Sequence, residues 1–170
     1  MTSQIAIVVD YEAFKGDVVK ELAIATPYYQ ACVLLKPPTN FQNLTIVEQK
    51  VNSWLSRHMH KIDWNAGTYD YSHLKCIVEG FISPNATFYA KGEEKTKLLS
   101  NMFGKCFINL EGFDCPRIEK VLEAKQQNTT CSVCPSIHGT NFHNCALNKA
   151  AGLHEWLTNN YSNIVYDINN

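Results

Sequence analysis

The sequence predicts an α/β fold: a five-stranded mixed sheet, three antiparallel strands followed by parallel crossovers, flanked by helices. Three observations predict it. Ile5 to Val9 is an unbroken apolar, β-branched run, which reads as a strand buried on both faces. Two more strand-like runs follow across short turns, as in an antiparallel meander. Beyond them, segments of helical period alternate with two further short strands, and strand, helix, strand is the order of a parallel crossover.

Taken along the chain, the first run ends in Asp10, an acid at the carboxyl end of a strand, where open α/β sheets keep their ligands. After the Gly16-Asp17 turn, Val18 to Ala25 reads as the second strand. Pro27 precedes a third, Tyr29 to Leu35, which Pro37-Pro38 ends. From Thr45 the period changes: Ile46, Val47, Val51, Trp54 and Leu55 fall at helical spacing, with Thr45 as N-cap and Glu48 completing a capping box. This helix ends near His60. Trp54 and Trp156 are expected in the core, and His58, His60 and Trp64 beside a cleft. Residues 61–67 read as a loop and Tyr71 to Phe81 as an amphipathic helix stopped at Ser83-Pro84. Ala86 to Ala90 is then a strand, Glu93 to Phe103 a helix closed by Gly104, and Cys106 to Leu110 a fifth strand. Pro116 to Lys125 and about His143 to Asn159 are the last helices, with Gln126 to Thr130 the only linker-like stretch.

The 170 residues, 45% of them hydrophobic, suit one domain spanning 1–170. A net charge of -1 excludes a global basic field, so any nucleic acid would be held by a local patch. No apolar run reaches the length of a membrane span and the N-terminus lacks the basic start of a signal peptide, so an intracellular protein, cytoplasmic or nuclear, is expected. In that compartment seven cysteines point to thiols and metal ligation rather than disulfides. Cys131, Cys134, His138, His143 and Cys145 crowd into one stretch that runs into the last helix, and thiolate with imidazole is the donor set of a tetrahedral zinc ion. A structural Zn2+ is expected there; the bland alternative is a loop of reduced cysteines.

Meander first and crossovers after is the order of a ribonuclease H-like fold, and several motifs sharpen it. Asp10-Tyr-Glu12 resembles the D-x-E that opens DnaQ-like 3′–5′ exonucleases. His60-Lys-Ile-Asp63 sits where that family has a His-Gly-Ile-Thr loop, Phe88 to Leu99 occupies the place of its A-H-N-A-x-F-D-x-x-F-L segment, and His143 to Ala150 resembles its closing H-x4-D. The resemblance runs from about residue 5 to residue 158. It implies that Asp10 and Glu12 once held Mg2+ or Mn2+, with His143 as general base, for phosphodiester hydrolysis. The family's third and fourth carboxylates fall at Lys95 and Asn148, and two acids are too few for a well-held pair of hard cations.

Loss of acids beside a zinc-type cluster is similar to the Maelstrom domain, whose Glu-Cys-His-Cys site matches Glu21, Cys134, His138 and Cys145 here. Cys131, His143 and Cys115 compete for those places. The combined resemblance implies a zinc-stabilised, degenerate exonuclease fold that binds single-stranded RNA or DNA, RNA above all, in RNA processing or small-RNA pathways, with a protein partner unspecified. Lys91, Lys95 and His60 are the candidate nucleic-acid contacts, in a basic rim of Lys91, Lys95 and Lys97 with Lys149 beyond them; the competing reading is a solvated face, with Lys95 an ordinary exposed helix residue. The alternatives are an active metal-dependent nuclease using Asp10, Glu12 and His143, and a protein-interaction scaffold.

Overall fold

The computed structural model of the chain describes residues 4–124 and 145–168, with side chains described as far as 161. One sheet organises it, with strand order β3-β2-β1-β4-β5. β1 (Ile5–Phe14), β2 (Val18–Ala25) and β3 (Gln30–Leu34) form the antiparallel meander. β4 (Ala86–Ala90) pairs parallel to β1, and β5 (Phe107–Asn109) parallel to β4. The helices are α1 (Ile46–His58), α2 (Leu74–Phe81), α3 (Glu93–Phe103), α4 (Ile118–Glu123) and α5 (Ala146–Ile168). This is the ribonuclease H-like, five-stranded mixed sheet that the element order predicts.

Several boundaries fall as expected for physical reasons that act locally. β2, β4 and α3 keep their predicted limits. Thr45 caps α1, its hydroxyl accepting from Glu48 N while the Glu48 carboxylate accepts from Thr45 N at 2.8 Å. Gly104, at φ 60°, ends α3 in the left-handed region. Other limits move under tertiary forces. β1 runs on to Phe14 because β2 supplies partners as far as Phe14–Val18, through a register shift between Glu12 and Ala13. The last helix extends to Ile168, past the expected Asn159.

Side chains alternate across β1 and so assign the two layers. Ile7, Val9 and Tyr11 face a cluster with Val78 of α2 and Leu99 and Phe103 of α3. Val8 faces the other way, packing with Tyr89, Leu110, Val121 of α4 and Leu153 and Leu157 of α5. Asp10 and Glu12 are in phase with Val8 and lie on the α5 side. The start of α5 crosses β2 on small residues, Ala146 and Ala150 against Ala23 and Ala25, which brings the helix backbone close to the sheet. Trp54 corrects its expectation: it is 53% exposed, whereas Trp156 packs half-buried on the α5-side cluster, and Trp64, 4% exposed, lines a cleft as expected. Trp64 fills the space beside Phe14 and donates from Nε1 to Thr39 O. Among the described residues no helix is long and apolar enough to cross a membrane.

Candidate functional site

The carboxyl end of β1 delivers two carboxylates, Asp10 buried and Glu12 half-buried, to the point where α3 and α5 begin. Asp10 is 2% exposed, and its side chain forms an ion pair with Lys95 Nζ at 2.5 Å. Lys95 comes from the first turns of α3 on the opposite face of the sheet. Its ammonium also donates to Tyr11 O at 2.9 Å and stands 5.1 Å over the Tyr11 ring. Glu12 pairs with Lys149 Nζ, also at 2.5 Å, from the second turn of α5. Burial works against the charged form of Lys149, but Asp10 and Glu12 outweigh it and hold the ammonium's pKa above its ordinary value. The result is a compact quadrupole of two carboxylates and two ammoniums.

Lys95 is thus no solvated helix residue; it is the cation that neutralises Asp10. Lys149 was legible only as a distant rim charge, yet it immediately follows Asn148, the position where the resemblance puts the fourth acid. That adjacency is the one sequence signal that could have found it. Asp10 Oδ2 has no hydrogen-bond partner and no solvent contact. A cleft of about 360 Å3 lies over this end of the sheet, lined by Asp10, Lys91, Lys95, Glu111, Arg117, Glu119 and Lys149 among others. Lys91 pairs with Glu111 at 3.3 Å and donates to Cys115 O. Lys97 stays outside the cleft, in an exposed pair with Glu93. His60, expected beside the nucleic acid, is 1% exposed, edge-on to the Phe14 ring, with Nδ1 accepting from Ile62 N. It does not line this cleft.

A second buried carboxylate stands one strand over. Glu21, 1% exposed on β2, accepts from Ala146 N at 2.9 Å, and its Oε1 lies 3.7 Å from Cys145 Sγ and 3.5 Å from Cys32 Sγ. It therefore serves the start of α5 as an N-terminal cap supplied across the fold. Two of the four expected zinc ligands, Glu21 and Cys145, are brought together across 124 positions of sequence. Cys134, His138, Cys131 and His143 lie outside the described residues. Among the described residues no group of three or more metal-ligating side chains converges. Cys115 packs in a different cluster, under α4, where burial pushes its thiol up to about 11.

Divalent-metal chemistry does not fit the first group of residues. A hard cation needs several carboxylate oxygens; here an ammonium already pairs with one oxygen of each acid, and although Asp10 Oδ2 has no partner, the two ammoniums repel an incoming cation. The donors around Glu21 do suit zinc, since carboxylate and thiolate are both within its ligand repertoire.

Comparison with known proteins bears on the fold. No family model matches the chain, and no curated protein matches it. Among solved structures it is similar to E. coli exonuclease I in complex with a dT13 oligonucleotide, at 12% identity and a TM-score of 0.56, over 96% of this chain and 43% of that one. It also matches a moderately thermophilic exonuclease I from Methylocaldum szegediense at 14% identity and a TM-score of 0.44, over 89% of this chain and 36% of that one. A third match is the exonuclease I chain of an ExoI/SSB-Ct complex, at 11% identity and a TM-score of 0.45, over 92% of this chain and 42% of that one. The chain spans less than half the length of these exonuclease I chains. The first likeness establishes the exonuclease-type, ribonuclease H-like fold.

Proposed function

We propose that this chain binds single-stranded nucleic acid, RNA in first place, on an exonuclease fold whose two cation positions are filled by its own lysines. Binding on this reading is independent of divalent metal, and metal-dependent hydrolysis is lost. The observation that carries it is the pairing of Lys95 with Asp10 and Lys149 with Glu12, each at 2.5 Å. Charge makes the substitution intelligible. Four carboxylates with two divalent cations sum to zero, and so do two carboxylates with two ammoniums, so the floor of the cleft keeps the balance that the resemblance implies for its relatives. Arg117, with Lys91 beside it in its pair with Glu111, then supplies the rim charge for a phosphate backbone. That E. coli exonuclease I was solved with dT13 supports an oligonucleotide as the occupant.

The same reading gives Glu21 and Cys145 two places in a structural zinc site, with Cys134 and His138 as the other ligands. Such a site would lock the start of α5 to β2, and metal affinity would then be folding energy. It makes the protein an intracellular RNA-processing or small-RNA factor rather than a nuclease.

Labelled single-stranded RNA and DNA, incubated with magnesium or with EDTA, test the reading. The expected outcome is a salt-sensitive mobility shift of the same size in both, no cleavage in either, and a loss of binding on Arg117→Glu. Magnesium-dependent shortening from the 3′ end, abolished by Asp10→Asn, would establish the active nuclease instead. Neither shift nor cleavage would leave the scaffold. Zinc content of chelator-free protein settles the second site: about one equivalent is expected, and its absence removes the metal.

A further inference from the structure

The outward face of α1 is built unlike an ordinary solvated helix. Trp54 is 53% exposed and Ile46 72% exposed, and the Trp54 and His58 rings lie 5.4 Å apart at an interplanar angle of 35°. They border a groove of about 490 Å3 whose lining also includes Phe41, Lys50, Ser53 and Arg57. Positions 50, 54, 57 and 58 are three or four residues apart, so the cations and the rings share one stripe. No acid lines this groove, and among the described residues neither Lys50 nor Arg57 has an ion-pair partner. An adjoining cleft of about 320 Å3 shares Phe41, Ser53 and Arg57 and adds Gln42, Asn52 and Asn65, with a single acid, Asp63, which has no ion-pair partner among the described residues. Asn52 is 1% exposed, its Oδ1 accepting from Lys15 N at 3.0 Å and its Nδ2 without a partner.

We infer that this face is a second contact for single-stranded nucleic acid, separate from the cleft at Asp10, in which a base stacks on Trp54 while Lys50 and Arg57 meet the phosphates on either side. Unmatched positive charge calls for an acidic partner, and an open π-face suits a base of any sequence. The exposed Gln42 and Asn65 carboxamides offer donors and acceptors to a base edge, which an acidic peptide with an apolar anchor would have no use for. The site also has a route to the cleft. Asn52 holds the backbone of Lys15, one residue past β1, and Lys15 is five residues along from Asp10, roughly 16 Å of extended strand. One strand of nucleic acid long enough to cover that distance would engage both. The inference rests on the proposed function for its ligand class but not for its location.

Length dependence separates the two. Fluorescence anisotropy with short (roughly four-nucleotide) and long (roughly sixteen-nucleotide) oligothymidylate compares the cleft alone with cleft plus α1. Trp54→Ala and the Lys50→Glu/Arg57→Glu pair should each weaken the long oligonucleotide about tenfold or more and leave the short one unchanged. Trp54 is exposed, so its removal leaves the core intact, and unchanged thermal unfolding confirms it. Long-oligonucleotide affinity indifferent to both variants, with the short one still bound, overturns this inference and spares the proposed function. Failure of the wild type to bind either length overturns both. Displacement of Trp54-dependent binding by an acidic, phenylalanine-ended peptide at lower concentration than by oligothymidylate assigns the face to a protein and overturns it too.

Discussion

At the scale of single residues, two lysines decide the chemistry, and neither announces itself in the sequence. Lysine on a helix of mixed charge is solvated far more often than buried, and its four-carbon stem lets it reach a partner that spacing along its own helix does not reveal. Asp10 and Glu12 were legible because an acid following a buried apolar run is costly unless it has a purpose; what neutralises them lies 85 and 137 positions away. Lys149→Met tests the pairing directly. It strands Glu12, whose side chain is only 14% exposed, and should cost about 3 kcal/mol in urea unfolding. Burial already holds the Glu12 carboxyl above its ordinary value; with Lys149 gone only Lys95 opposes it, and its folded-state pKa rises further. A raised carboxyl takes its proton first in the folded state, so the variant should regain stability as pH falls through the carboxylate range. Adding Glu12→Gln should recover most of the loss at neutral pH; a double variant no better than Lys149→Met alone would show that the pair is not coupled.

At the scale of elements, local signals wrote the helix starts and tertiary contacts wrote the rest. The Thr45–Glu48 box and Gly104 act within a few residues and were readable. The exposure of Trp54 was not, because helical period cannot tell which side of α1 turns inward when that face presents Asn52. The loop that carries Trp64 is fastened by Lys20, wholly buried on β2, whose ammonium donates to Leu35 O at 2.6 Å, Trp64 O at 2.9 Å and Ala66 O. Gly67, at φ 147°, completes the junction: a Cβ there would run into the backbone of Leu35 and Lys36. Burial lowers the Lys20 pKa to about 8. Between that value and the ordinary lysine value the unfolded chain binds more protons than the folded one, so stability rises with pH there. The Lys20→Met variant lacks that titration. Its stability deficit relative to the wild type should therefore widen between about pH 8 and 10, approaching roughly 3 kcal/mol across the full window. A deficit constant with pH would mean that Lys20 titrates alike in both states.

At the scale of the whole molecule, the strand order β3-β2-β1-β4-β5 brings the end of β1 and the starts of α3 and α5 to one place, and the lysine–carboxylate pairs meet there. The topology was readable from element order alone. The content of the site was not, because it depends on which of several charges on three distant segments meet. If the lysines alone displaced the divalent ions, restoring the acids should restore the ions. The combination Lys95→Asp, Asn148→Asp and Lys149→Ala returns carboxylates to the third and fourth positions and removes both ammoniums. Four unneutralised acids should lower stability in EDTA, and manganese should raise the melting temperature of this variant while leaving that of the wild type unchanged, because ligand binding to the folded state alone shifts unfolding by mass action. Manganese-dependent protection in the wild type would show that a cation displaces Lys95 or Lys149 from its acid. No protection in the variant would mean that α3 and α5 no longer stand where four oxygens can close on two ions, so that the backbone, and not only two side chains, has left the nuclease geometry.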